Sequence, residues 1–165
     1  MVGDAQLTSA LFSNRWQLTQ RGTVLAELTR LGKIYVTTAN LGEAGNLIME
    51  PAGQGTVRAV GDDGKEMARI VRRSWLGRRW EISGLGYNYD LLSDPRPRRW
   101  HLAIANAPVT NIAGSYLSYN HVEINSSLAV PIPAILLSWH VVARPWEAVA
   151  EPRGLVPGAP ATREQ

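Results

Sequence analysis

Residues 128–146, reading LAVPIPAILLSWHVVARPW, form the longest apolar run in the chain and carry one formal charge, Arg144. Any fold must remove this stretch from water. Pro131 and Pro133 suit a first helical turn, where N–H groups lack intrahelical partners, and Arg144-Pro145 reads as a stop because proline pushes its predecessor out of the α region. The spacing therefore predicts a helix over about residues 131–143. At about 1.5 Å per residue such a helix reaches about 20 Å, short of the roughly 30 Å hydrocarbon core of a bilayer. Ile132, Ile135, Leu136, Leu137, Trp139, Val141 and Val142 surround its axis on all sides, the pattern of a helix enclosed by protein. A tail-anchored protein, with the same run in a membrane, is the competing reading.

Nothing before residue 128 has a helical period. Trp16 and Leu18 alternate with polar residues, Arg21-Gly22 punctuates, and Val24, Ala26 and Leu28 resume the alternation, as in two half-buried strands around a tight turn. Ile34–Thr38 and Asn46–Met49 follow as short strands. Gly61-Asp62-Asp63-Gly64 then separates Val57–Val60 from Met67–Val71, and a glycine there supplies the positive φ a hairpin needs. Further short runs at 79–83, 87–92, 100–105, 109–113 and 121–124 bring the expectation to ten or eleven strands. A 42-residue spacing superposes Gly22 on Gly64 and, more weakly, on Asn106, with matching apolar neighbours. Three such units are too few for a propeller, and the helix has no place in one.

At 165 residues the chain is the size of one domain. Residues 1–11 read as a flexible N-terminal arm, 12–147 as the folded domain and 148–165, rich in proline and glycine, as a disordered tail. The absence of cysteine rules out disulfides, a thiol nucleophile and thiolate metal sites. The first residues have neither a basic start nor a sustained apolar segment, so the cytoplasm is the expected address, with peripheral attachment at a membrane as an option.

Short antiparallel strands followed by one hydrophobic helix resemble the tubby-like β-barrel superfamily, which includes tubby C-terminal domains, LURP-one-related proteins and phospholipid scramblases. The stretch VGDDGKEMARIVRRSWLGRRWEI (60–82) is similar to that family's strand, turn, strand, tryptophan, strand succession, and LAVPIPAILLSWHVV (128–142) to its central helix. The resemblance implies a mainly β fold, a closed antiparallel barrel of about twelve strands around the C-terminal helix. It also implies binding to phospholipid head groups or action at membranes. No head-group site transfers residue by residue, and the family's cysteine cluster and calcium-ligand spacing are missing.

Charge points to the same surface chemistry. Residues 58–100 hold ten Lys or Arg against six acids, whereas the remainder holds seven against eight. Arg72, Arg73, Arg78 and Arg79 surround Trp75, and Arg96, Arg98 and Arg99 precede Trp100. Arginine holds phosphate oxygens bidentately and tryptophan favours the head-group layer. These nine residues are the candidate anionic-lipid site, set against a solvated row of hairpin ends. Nucleic acid is disfavoured, because no recognised binding motif accompanies the charge.

Catalytic and cofactor signals are weak. His101, His121 and His140 have no metal-ligand spacing, and Ser138 stands two residues from His140, on another helical face. Gly53-Gln54-Gly55 and Gly84-Leu85-Gly86 lack the following helix that a phosphate loop needs. A non-enzymatic binding or scaffold module without cofactor or metal is the leading expectation. A small-ligand carrier or enzyme using a cavity between helix and wall is the alternative. Neither a protein partner nor an oligomeric state is specified.

Overall fold

A computed structural model describes residues 1–10, 13–31, 36–115 and 120–150, with residues 144–150 as helix backbone alone. Twelve strands run in chain order: β1 (Gly3–Thr8), β2 (Arg15–Gln20), β3 (Thr23–Leu31), β4 (Val36–Asn40), β5 (Asn46–Pro51) and β6 (Thr56–Gly61), then β7 (Glu66–Arg72), β8 (Arg79–Gly84), β9 (Tyr87–Ser93), β10 (Arg99–Ile104), β11 (Ala107–Gly114) and β12 (His121–Ser126). Each pairs antiparallel with its neighbours in sequence, and β1 pairs with β12 to close the barrel. One helix, α1 (Ile132–Ala150), follows. The mainly β fold, the closed barrel and the C-terminal helix all match the expectation.

Alternation builds the wall. In β12, Val122, Ile124 and Ser126 are buried and Glu123 and Asn125 exposed; in β5, Leu47 and Met49 point inward between exposed Asn46 and Ile48. An eight-stranded barrel can fill itself with its own side chains, but a wider one leaves a lumen. Here α1 occupies it. Every residue from Ala134 to Ala143 is buried, and Ile135, Leu136, Trp139 and Val142 join the wall residues in one continuous core, with Ile132 half-buried at its margin.

Two boundaries differ from the sequence expectation. Of the expected arm, the described residues 1–10 are not free: β1 hydrogen-bonds to β12 and β2, buries Ala5 and Leu7, and supplies the closing strand. Met1 and Val130 also exchange two 2.8 Å hydrogen bonds, which fasten the start of the chain to the segment before α1. The helix, in turn, does not stop at Ala143. It continues through Arg144-Pro145 to Ala150, because proline removes one i→i−4 bond while its fixed φ remains helical. Of the expected disordered tail, residues 148–150 are helical and 151–165 lie outside the described residues.

The 42-residue spacing has a structural counterpart. The hairpins β2–β3, β6–β7 and β10–β11 stand four strands apart around the wall, and Gly22, Gly64 and Asn106 adopt φ of 80°, 76° and 66° at their turns. Each hairpin carries a register shift one side of its turn, at Leu18/Thr19, Ala59/Val60 and Leu102/Ala103. Four-strand units therefore repeat three times around the barrel.

Candidate functional site at the arginine-bearing end

In an up-and-down barrel alternate connections fall at opposite ends. The β7–β8 and β9–β10 connections consequently share one end, and both clusters of arginines lie on them. Hydrogen bonds join these connections to the strand ends: Ser93 N–H donates to the Arg78 carbonyl at 2.9 Å, Arg73 N–H to Arg79 O at 2.8 Å, and Gly114 N–H to Arg98 O at 2.9 Å. Arg72 pairs in register with Trp80, and Arg79 with Leu92. Thus residues separated by as many as 27 positions in sequence, Arg72 and Arg99, come to one rim.

The seven arginines are not equivalent. Arg73 Nε donates to Glu81 at 2.8 Å, and Arg79 pairs with Asp90 at 3.2 Å. The Arg73 guanidinium holds the Glu81 carboxyl below its ordinary value. Arg98 adopts φ of 58° and turns its guanidinium back onto the Ser115 carbonyl. By contrast, among the described residues the side chains of Arg72, Arg78, Arg96 and Arg99 have no hydrogen bond or ion pair, and all four are exposed. Of the seven, these four are available to an outside anion.

The tryptophans separate in the same way. Trp100 is half-buried against the core, and Trp80, also half-buried, donates Nε1–H to the Gly77 carbonyl at 2.8 Å. Trp75 is 89% exposed, and its neighbour Leu76 is 67% exposed. Sequence reasoning selected Trp75 and missed Leu76, although two bulky apolar residues between Ser74 and Gly77, a turn-forming pair, were a usable signal.

α1 is oriented toward this end. It leaves β12 at the opposite end, where Ser127 N–H bonds Val109 O, and runs up the lumen. Near the rim Trp139 packs on Trp16 of β2, with ring centroids 5.2 Å apart, and Arg30 of β3 lies 5.7 Å over its ring. His140 Nδ1 is 2.9 Å from Thr37 Oγ1 of β4, both buried. Ser138 Oγ donates to the Ala134 carbonyl at 2.7 Å, so its hydroxyl serves its own helix. His121 lies 3.7 Å from Glu123, and no group of three potential metal ligands occurs among the described residues. An outer-wall groove of about 640 Å³ is bordered by Asp4, Gln6, Thr19, Arg21, Asn111 and Glu123.

Comparison with protein-family models, with curated proteins and with solved structures returns no match in any of the three. Among the described residues no helix is long and apolar enough to cross a membrane.

Proposed function

We propose that the chain is a non-enzymatic barrel of the tubby-like type that binds anionic phospholipid head groups at a membrane surface through its arginine-bearing end. The observation that carries this reading is the set of four exposed, unpaired arginines, Arg72, Arg78, Arg96 and Arg99, gathered at one end. A guanidinium whose donors are already taken by a carboxylate adds little to an outside anion, whereas a free one can take two phosphate oxygens at once. The twelve strands and enclosed helix are compatible with the family likeness, and the exposed Trp75 suits the interface between head groups and water better than an aqueous polyanion.

Vesicle co-sedimentation tests the reading. Each basic side chain near an anionic surface contributes about 1 kcal/mol, so replacing Arg72, Arg78, Arg96 and Arg99 by Ala together should lower partitioning onto phosphatidylserine-containing vesicles by on the order of a thousandfold. The fold should survive, since none of the four side chains is buried. Equal recovery of the native protein on neutral phosphatidylcholine vesicles would refute it.

A further inference from the structure

We infer that the turn Ser74–Gly77 is a wedge that enters an anionic bilayer, carrying the Trp75 indole into the head-group layer and the Leu76 side chain to the edge of the acyl chains; this rests on the proposed lipid-binding role of the rim. Large apolar side chains at a hairpin tip gain nothing from water. Here their exposure is built in. Gly77 N–H bonds Ser74 O at 3.1 Å with Gly77 at φ 67°, and Ser74 Oγ accepts the N–H groups of Arg78 at 2.8 Å and Arg79 at 3.0 Å. Trp80 Nε1 then holds the Gly77 carbonyl at 2.8 Å. With its backbone tied at four points, the turn keeps Trp75 and Leu76 outward, and folding them back would break these bonds.

The flanking charges select the occupant. Arg72 and Arg78 bracket the tip with free guanidinium groups, so a surface that meets the tip presents anions around an apolar interior. An anionic bilayer has that layering. A second copy of this chain would set its own arginines against these, and like charges disfavour that contact.

Because the chain contains no cysteine, one introduced thiol carries a single polarity-sensitive fluorophore. Leu76→Cys reports on the wedge, and Leu85→Cys, 97% exposed on the β8–β9 connection at the opposite end, is the control. On vesicles of phosphatidylcholine with phosphatidylserine, the probe at residue 76 should shift to the blue and be quenched by lipids brominated along the acyl chain, while the probe at 85 stays unchanged. Trp75→Ala with Leu76→Ala should weaken partitioning by at least about tenfold, from the apolar area no longer buried. Ser74→Ala, which frees two N–H groups and keeps both apolar side chains, should weaken it by a smaller factor. Co-sedimentation with no change at residue 76 would overturn the wedge and leave head-group binding standing. Failure to co-sediment would overturn both. A blue shift without vesicles that grows with protein concentration would assign the tip to self-association and overturn the wedge.

Discussion

Gly84 and Tyr87 face each other across the β8–β9 hairpin, and the phenol ring lies where a Cβ on residue 84 would project. The glycine makes room for the ring, whose hydroxyl is buried and has no hydrogen-bond partner among the described residues. Burial pushes the Tyr87 phenol up to about 12. Its folded-state value lies above the unfolded value near 10, so the folded chain favours the neutral phenol: its contribution is complete below about pH 10 and is lost as pH rises toward 12. Chemical denaturation across that range should show Tyr87→Phe losing less stability than the native chain, with little penalty at pH 7. Thr37 is the second telling residue. Thr37→Val strips the buried His140 ring of a hydrogen bond and should cost about 1–3 kcal/mol in urea unfolding. Neither pair was legible in the sequence, because residues 37 and 140 meet only once the helix is threaded through the wall.

At the level of elements, legibility followed the strength of the alternating pattern. Most strands from β2 to β12 announce themselves by apolar residues at every second position, whereas β4 buries only Thr37 and Ala39. β1 offers only Ala5 and Leu7 among small polar neighbours, and its assignment depends on β2 and β12 being in place on either side. The helix was legible from its composition, but its end was not: the rule for residues before proline describes a preference, and Arg144-Pro145 overrides it within a helix of 19 residues. At about 1.5 Å per residue that is about 28 Å, so length does not separate a lumen helix from a spanning one. Burial by the wall does. Leu136→Ala should accordingly cost about 2–5 kcal/mol by denaturant titration, whereas Met67→Ala, with Met67 48% exposed on the wall, should stay within about 0.5 kcal/mol.

The whole barrel has a direction that no single element shows. One end holds the Met1–Val130 clasp and the three turns at Gly22, Gly64 and Asn106, with the exposed Arg21 beside Gly22; the other holds Arg72, Arg78, Arg96 and Arg99 and the Trp75-Leu76 tip. The arginine excess was visible as a segment of sequence. Which arginines remain free was not, because Arg73 meets Glu81 and Arg79 meets Asp90 only across strands whose register the tertiary fold decides. Attraction between this end and an anionic surface is screened over about 10 Å at 0.1 M salt, so partitioning should fall steeply between low and high salt, while any part due to the apolar tip persists. The central claim is that this end alone meets the membrane. Hydrogen exchange with and without phosphatidylserine-containing vesicles measures it directly. Membrane contact at this end should slow exchange at residues 73–78 and 94–99 and leave it unchanged at the turns 61–65, 84–87 and 104–107. Protection at those opposite turns, or equal protection at both ends, would contradict it.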